Sequence, residues 1–337
     1  MTRGYLLIAL SAAGFGLMPV IATYAYQDGL TVATLLFLRF AVAAAVFLPY
    51  AWWHIRRTGR PRSADLLRML LLGGVLYAAQ SALYFSSVKH ISPALASLLL
   101  YLYPALVAGV SAVVGRERPS RGVIGSLVLS LAGVALALGH IGSSLSLTGV
   151  LEALGAAGVY MVYILFGDRV GGAVHPVVMT AFVSLSAAIA FLVYGPATGG
   201  LALGFEPRGW LPVLCIALAS TVLAILCFFL GMALIGPTRA SIASTLEPVV
   251  SIVATAVLLG GGLTWLQLLG AVLVLSGGTI GVLSRRGPRA SRRAPRPSTV
   301  WGSAHVLPAA DERVGHRVDH LRSWEEPPPP ATGPRAP

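Results

Sequence analysis

The sequence predicts an all-α membrane protein whose ten transmembrane helices form two inverted five-helix repeats. Three observations lead to this fold class. The chain of 337 residues is 56% hydrophobic and only 11% charged, with a mean hydropathy of +0.80, which is too apolar for a protein in water. Ten apolar segments follow one another along the chain. The first half of the sequence also recurs in the second half at one fixed offset.

The apolar segments each hold about 20 residues, the length that an α-helix needs to cross the hydrocarbon core. The predicted transmembrane helices are 4–26, 31–53, 67–88, 92–114, 121–139, 148–167, 176–194, 210–234, 237–259 and 265–283. The first segment follows Arg3, as a signal peptide would, but it is long enough to span and nine more follow. It is therefore predicted to be the first helix.

Arginine-rich and arginine-poor loops alternate, which predicts the orientation in the membrane. The loop after helix two carries five arginines and the loop after helix four carries three, whereas the connections at 27–30, 139–147 and 260–264 have no Lys or Arg. Arginine-rich loops are typical of the cytoplasmic side, so we expect a plasma (inner) membrane protein with both termini cytoplasmic. The basic residues behind the net charge of +12 therefore lie mainly in loops and in the tail. Because membrane orientation explains their positions, no nucleic-acid partner is expected.

The duplication is clearest between residues 91–104 and 235–248, which align without a gap at an offset of 144 residues. Six positions are identical: Ile91, Pro93, Ala96, Ser97, Leu102 and Pro104 match Ile235, Pro237, Ala240, Ser241, Leu246 and Pro248. The same offset aligns residues 7–14 with residues 151–158. A single offset across separate regions indicates one duplication of the whole unit.

Each copy contains five helices, and this odd number makes the second copy enter the membrane from the opposite face. The predicted domains are therefore two inverted repeats, 1–144 and 145–284. Residues 285–337 form a basic Pro- and Arg-rich tail that is predicted to be disordered and cytoplasmic. Inverted repeats with a binding site between them are typical of secondary transporters.

Ionisable residues inside the predicted helices are the strongest functional signal, because a charge at the bilayer centre costs about 2.5–3.5 kcal/mol. Arg39 lies about 12 Å inside helix two and Glu247 about 15 Å inside helix nine, at 1.5 Å per residue. We hypothesise that they form or exchange an ion pair, or that one binds a charged substrate group. The alternative is a packing role, with Arg39 extending outward. Glu152 in helix six is a candidate outer gate or an interfacial residue.

Polar side chains follow one face of helix three, with the spacing i, i+3, i+4 and i+7. They are Tyr77, Gln80, Ser81 and Tyr84. Further hydroxyls occupy the fourth helix of each copy, namely Ser97, Tyr101 and Ser244. Hydroxyls and amides suit a small polar solute, so these residues are predicted to line its binding site. Ser and Thr also bond membrane helices to each other, which is the alternative role.

Pro104 and Pro248 lie midway in the fourth helix of each copy. A proline inside a helix removes one hydrogen bond and frees the carbonyl four residues earlier, at Leu100 and Ser244. We predict a kink or hinge at both prolines. The alternative is that membrane helices merely tolerate them.

No sequence pattern indicates an enzyme. The chain has no phosphate-binding loop with a Lys, no pair of His at helical spacing and no nucleophile motif. We therefore expect no catalytic residue, no metal site and no cofactor. An ion or solute gradient is the expected source of energy.

Several local motifs resemble the EamA-like branch of the drug/metabolite transporter superfamily. They are LeuArgPhe at 38–40, GlyArgGluArg at 115–118, LeuGluPro at 246–248 and the midway prolines of helices four and nine. The resemblance covers roughly residues 4–284. It implies export of amino acids or related metabolites, with helices one to four and six to nine around a central cavity and helices five and ten peripheral. One departure is that Gly261 stands where the first copy has Glu117.

Together these features predict a secondary active transporter that exports a small polar metabolite, with amino acids as candidates, by alternating access. The expected partners are the small-molecule substrate and the lipid bilayer, and a homodimer through the peripheral helices is left open. Glu247 is a candidate for proton uptake during coupling. The alternatives are an importer, an exporter of hydrophobic drugs, which an aromatic-lined cavity would favour, and a non-transporting membrane scaffold.

Overall fold

The computed structural model describes residues 2–114, 120–138, 146–171, 174–197, 200–235, 240, 243–260 and 264–284. Within these residues the chain is helical and contains no β-strand. Several features of the sequence lie outside them: the GlyArgGluArg motif at 115–118, the departure at Gly261 and the tail 285–337.

The first half of the chain is a series of helices joined by short connections. In order they are α1 Thr2–Gln27, α2 Val32–Thr58, α3 Ser63–Leu71, a π-helical turn at Leu72–Tyr77, α4 Ala78–His90, α5 Pro93–Leu100, α6 Tyr103–Val114 and α7 Arg121–Leu138. Thr31 caps α2, since its hydroxyl accepts a hydrogen bond from the Thr34 N–H. Ser92 caps α5 in the same way and Pro93 begins the helix, where its missing N–H costs nothing.

The second half has the same character. Its elements are α8 Leu147–Gly171, α9 Pro176–Ala197, a 3₁₀ turn at Pro207–Gly209, α10 Trp210–Leu214, a second π-helical turn at Cys215–Leu223, α11 Ala224–Ile235, α12 Leu246–Leu258 and α13 Trp265–Ser284. The two π-helical turns fall at related positions, because adding the offset of 144 to 72–77 gives 216–221, inside the second turn.

Six of the described helical segments are long and apolar enough to cross a bilayer. They are Thr2–Gln27, Val32–Thr58, Ser63–His90, Leu147–Gly167, Pro176–Pro196 and Pro207–Ile235. Four shorter apolar helices lie where the other four spans are predicted, namely Pro93–Val107, Arg121–Leu136, Leu246–Leu258 and Trp265–Ile280. The chain is therefore a multi-pass membrane protein.

Both helices that contain a midway proline are interrupted just before it. The first break is a turn at Tyr101–Leu102, before Pro104, and the second is a turn at Ser244–Thr245, before Pro248. Because Pro248 has no N–H to offer the Ser244 carbonyl, this oxygen takes other donors. It accepts hydrogen bonds from the Glu247 N–H at 3.0 Å and from the Tyr101 hydroxyl at 2.8 Å.

The helices pack as pairs that join the two halves of the chain. α2 packs along α9, and α1 lies against α11 and α12. α7 and α13, the helices that the family resemblance places at the periphery, pack mainly against each other. Their contact includes a hydrogen bond of 2.7 Å from the Ser126 hydroxyl to the Gly277 carbonyl.

Candidate functional site

Arg39 is held inside the protein, with only 3% of its surface exposed. Its Nε donates to Thr221 Oγ1 at 2.9 Å, and Nη2 donates to the Tyr77 hydroxyl at 3.5 Å. The guanidinium also lies over the rings of Phe40 and Phe85, with its carbon 4.8 and 5.4 Å from their centroids. The side chain therefore points into the helix bundle, and the alternative in which it extends outward to the membrane surface is wrong.

Both hydrogen-bond partners of Arg39 come from the π-helical turns. Tyr77 ends the first turn, and Thr221 lies in the second. The Thr221 hydroxyl donates its hydrogen to the carbonyl of Ile216, five residues earlier, at 2.8 Å. Its lone pair is thereby directed to Arg39. π-Helical turns occur frequently at functional sites, because the extra residue changes the direction of the neighbouring side chains.

Arg39 and Glu247 do not form the ion pair suggested by their similar depth. Among the described residues, salt bridges occur only at Arg68–Asp65 and Arg208–Glu206. Arg39 is bound by neutral hydroxyls and aromatic rings, and Glu247 is bound by Tyr101. The two residues instead share neighbours, since Tyr84 and Tyr160 lie near both.

Glu247 lies in the first turn of α12 and contacts the break in the other proline-containing helix. The Tyr101 hydroxyl lies 3.0 Å from Glu247 Oε2 and 2.8 Å from the Ser244 carbonyl oxygen. A hydroxyl has one hydrogen, so it cannot fully satisfy two acceptors. If Glu247 carries a proton, it can donate to the Tyr101 oxygen while Tyr101 donates to Ser244. When Glu247 is ionised, Tyr101 can donate to only one of the two at a time, and the Ser244 carbonyl keeps the hydrogen bond from the Glu247 N–H.

α1 packs closely against the first turn of α12, which contains Glu247. A β-carbon added at Gly16 would lie 2.5 Å from the Glu247 carbonyl oxygen and 2.8 Å from Val250 Cβ. Only glycine permits this close approach of the two backbones. The position of the carboxylate is thus set by packing as well as by its hydrogen bond.

Five tyrosines in successive ring contact connect the neighbourhood of Arg39 to that of Glu247. In order they are Tyr77, Tyr163, Tyr160, Tyr103 and Tyr101, with ring centroids 5.2, 5.8, 4.5 and 5.8 Å apart. We call this set the tyrosine chain. Its first member bonds Arg39 and its last member bonds Glu247. The two charged residues therefore lie at the ends of one continuous aromatic surface with phenolic hydroxyls.

Other predicted site hydroxyls mainly bond helices to each other. The Tyr84 hydroxyl and the Ser97 hydroxyl are 2.9 Å apart, and Ser97 in turn donates to Ser251 at 2.9 Å. Ser97 is in α5 and Ser251 is in α12, so this hydroxyl seam joins the two halves of the chain. The contacts of Tyr84 and Ser97 are those of the alternative, bonding role.

Gln80 and Ser81 are both buried in α4, and the Ser81 hydroxyl donates to Gln80 Oε1 at 3.3 Å. Glu152 in α8 lies beside the other end of α4. Its Oε1 accepts a hydrogen bond of 2.7 Å from the Ser86 hydroxyl, whereas the buried Oε2 has no partner within the described ranges. Glu152 thus retains an acceptor that a cationic group can use.

Of the sequence-predicted residues, Tyr77 contacts Arg39, and Tyr101 and Ser244 contact Glu247. Glu152 in α8 is instead bonded by Ser86 of α4. Sequence reasoning did not select Thr221, Ser251, Tyr160 or Tyr163. One signal was present for Thr221, because it is the counterpart of Tyr77 at the offset of 144 residues. Tyr160 and Tyr163 have the spacing i, i+3 on α8, which places both on one face.

The chain matches the model of the EamA-like transporter family over residues 2–139 and 147–283. Curated relatives include the threonine/homoserine exporter RhtA of Salmonella typhimurium strain SL1344, which is 30% identical over 277 residues covering 77% of this chain and 88% of RhtA. RhtA of Escherichia coli K12 is 30% identical over 279 residues, covering 77% of this chain and 89% of that protein.

Two further similarities extend the comparison. A probable amino-acid metabolite efflux pump of Salmonella typhimurium strain LT2 is 29% identical over 266 residues, covering 74% of this chain and 88% of the pump. A solved crystal structure superposes with a TM-score of 0.56 at 20% identity, over 84% of this chain and 97% of that chain. At this identity the structural likeness concerns the fold alone.

Proposed function

Because the chain belongs to the EamA-like transporter family, we propose that it is a secondary active exporter of small polar metabolites, with amino acids as its substrates. The relatives that carry a substrate in their names are exporters of threonine and homoserine or of amino-acid metabolites. A membrane transporter needs no catalytic constellation, in agreement with the absence of one from the sequence.

The observation that carries this proposal is the environment of Arg39. A guanidinium that is 3% exposed inside a membrane protein normally has an anionic partner, and no carboxylate within the described residues pairs with it. Two hydroxyls and two aromatic rings hold it in place. We infer that the carboxylate of the substrate is the missing counter-ion.

Glu247 is proposed to take up the coupling proton. Protonation would let Glu247 donate to the Tyr101 oxygen while Tyr101 donates to the Ser244 carbonyl. Among the residues that the structure describes, the titratable groups near Glu247 are Tyr101 of the interrupted helix, Tyr84 of α4 and Tyr160 of α8, and all three are tyrosines. None of them carries a charge near neutral pH, so proton uptake at this position depends on Glu247 itself.

The architecture that we propose for transport is ten transmembrane helices in two inverted repeats, 1–144 and 145–284, with both termini cytoplasmic in the inner membrane. The π-helical turns and the helix breaks at related positions of the two halves support this duplication. Pro104 and Pro248 are proposed hinges for alternating access, because each follows a break in its helix. Tyr77, Gln80, Ser81, Tyr84, Ser97, Tyr101, Glu152 and Ser244 are proposed to contribute to the substrate path.

One observation favours a second candidate, export of bulkier and more hydrophobic compounds. Four members of the tyrosine chain are partly exposed, namely Tyr77, Tyr103, Tyr160 and Tyr163. Aromatic faces bind apolar and cationic groups as well as small polar ones. The two candidates differ in what occupies this surface: a short aliphatic side chain in the first case and a ring or quaternary ammonium in the second.

The deciding experiment is efflux from proteoliposomes loaded with a panel of radiolabelled compounds, made with wild type, Arg39→Gln and Arg39→Lys. Amino-acid export predicts flux of one or more amino acids, and Arg39→Gln should raise the concentration for half-maximal flux by about tenfold or more, which is about 1.4 kcal/mol of lost binding. Arg208→Gln is the matched control, because Arg208 is exposed and pairs only with Glu206 at the surface.

The outcomes separate the alternatives. Flux of hydrophobic cations but of no amino acid would select the second candidate. Uptake without efflux in the same vesicles would identify an importer. If no compound moves and the purified protein is folded, the scaffold hypothesis gains support and the transport proposal fails.

A further inference from the structure

A polar cleft of about 270 Å³ lies at the arginine-rich end of α2, away from Arg39 and Glu247. One wall is formed by the end of α2 and the residues after it. The other wall comes from the start of α9. The lining residues are His54, Ile55, Thr58, Gly59, Arg60, Pro61, Val174, His175 and Val178. The cleft is thus built from both halves of the chain.

The polar groups in this cleft are suited to an anion. The rings of His54 and His175 are in contact, with centroids 4.4 Å apart, and Arg60 lies on the same wall as His54. His175 Nδ1 accepts a hydrogen bond from the Val177 N–H at 3.3 Å, so the neutral ring carries its hydrogen on Nε2, which can donate. Within the described part of the chain, no carboxylate lies within 4.0 Å of either histidine.

The loop geometry brings Arg60 to the cleft. Gly59 ends α2 with φ of +95°, in the left-handed region that glycine adopts at low cost, and its N–H bonds the Ile55 carbonyl at 2.9 Å. The helix therefore ends at Thr58. Arg60 and Pro61 line the cleft together with His54 and Ile55 of the last turns of α2.

The depth of the cleft matches the headgroup layer of a membrane. Trp52 and Trp53 are 57% and 46% exposed, and Arg56 and Arg57 lie over their rings at 4.8 and 4.2 Å. Exposed Trp is typical of the membrane interface. Thr58 lies six residues beyond Trp52, which is about 9 Å farther along the helix at 1.5 Å per residue. This position is at the level of the lipid phosphates.

We propose that this cleft binds the phosphate group of an anionic phospholipid, with Arg60 and the two imidazoles as donors and with the side chains of Ile55, Val174 and Val178 against the first carbons of the lipid. A lipid bound here contacts α2 and the start of α9 at once and holds these two elements together at this end. Membrane surfaces that carry anionic lipid attract basic residues by about 1 kcal/mol for each Arg. The structure adds a shaped pocket to that general attraction.

The test uses the 337-residue chain in nanodiscs of POPC alone or of POPC mixed with POPG. Native mass spectrometry measures the bound lipid, and thermal unfolding measures the stability. Wild type should retain POPG and unfold at a higher temperature in the mixed discs. Arg60→Gln should weaken POPG binding about fivefold, and Arg60→Lys should lose less. The double variant His54→Gln/His175→Gln should lose the retained lipid as well.

Arg62→Gln is the matched control, since Arg62 is exposed in the same loop and does not line the cleft. Each variant is compared with itself in POPC, so an effect on folding does not imitate an effect on binding. Equal POPG responses in wild type and Arg60→Gln would overturn the proposal, as would equal losses in Arg60→Gln and Arg62→Gln. Inorganic phosphate that protects the wild type as well as POPG does would overturn the assignment to a lipid.

Discussion

Tyr77 and Thr221, which are separated by the duplication offset of 144 residues, both accept hydrogen bonds from Arg39. Positions matched by this offset thus carry a phenol in one half and a small hydroxyl in the other. Between them lies a charge that has no counterpart in the second copy, where the equivalent residue is Val183. Symmetric backbone positions therefore support an asymmetric charge.

The two hydrogen bonds of Arg39 should differ in strength. Thr221→Val removes the 2.9 Å bond and should lower the free energy of unfolding by about 1.5–3 kcal/mol, because a buried charged donor loses its acceptor. Tyr77→Phe should cost less, since 3.5 Å is at the limit of a hydrogen bond. Thermal unfolding of both variants in one detergent measures the order, and a larger loss in Tyr77→Phe would contradict it.

Glu247→Gln should fold normally but lose proton coupling. The amide can donate to Tyr101 as a protonated carboxyl does, and it does not titrate. We expect substrate counterflow to persist in the variant while uphill transport driven by a pH gradient disappears. Tyr101→Phe is the companion variant, because it removes the shared hydroxyl and leaves the carboxyl free to titrate. Uphill transport at the wild-type rate in Glu247→Gln would exclude the coupling role.

Gly16→Ala should disturb the Glu247 turn. Its β-carbon would lie 2.5 Å from the Glu247 carbonyl oxygen, so α1 and α12 must separate, at a cost of about 1–3 kcal/mol for overpacking. Gly158→Ala is the matched control, since a β-carbon there meets nothing within 4 Å. Thermal unfolding and substrate flux should both fall in Gly16→Ala and stay near wild type in Gly158→Ala. Equal behaviour of the two variants would show that the close approach has no consequence.

Acid should destabilise the contact between His54 and His175. Burial and the neighbouring His54 lower the pKa of His175 below its ordinary value near 6.5. Above about pH 6.5 the ring is neutral in the folded and the unfolded chain, and as the pH falls through this value the unfolded chain takes up the proton first. Stability is therefore full near neutral pH and decreases on acidification. Tyr50, His54 and Arg60 are the other titratable groups at this contact.

The variant His175→Gln should show a flatter decrease of melting temperature between pH 7 and about pH 5. The hydrogen bond from the Val177 N–H to His175 Nδ1 acts in the same direction, because a protonated ring cannot accept it. Parallel melting curves for wild type and variant over this range would show that His175 does not titrate differently in the two states.

Much of the fold follows from hydropathy and spacing, because each membrane helix satisfies its own backbone hydrogen bonds. The membrane location, the helical content and the family are confirmed. The π-helical turns around Tyr77 and Thr221 were not foreseen. The first contains Gly73 and Gly74, but the second, Cys215–Leu223, contains neither glycine nor proline. The helix break before Pro248 agrees with the known effect of a missing N–H.

The site was harder to predict than the fold. Burial of Arg39 follows from its depth, but depth alone says nothing about rotation about the helix axis, and the expected partner Glu247 is bound elsewhere. The contact between Tyr101 and Glu247 joins residues 146 positions apart and depends on how the halves pack. The residue roles at this site stay predictions until the variants above are measured.

The hydroxyl seam, which runs from Tyr84 through Ser97 to Ser251, favours conformers in which these hydrogen bonds are made. Hydrogen bonds between membrane helices are worth about 0.6 kcal/mol on average, a factor of about three in an equilibrium constant. At this average value, loss of both seam bonds changes the ratio of two conformers by about an order of magnitude. For the proposed alternating access, this contribution is small enough that the binding free energy of a solute would offset it.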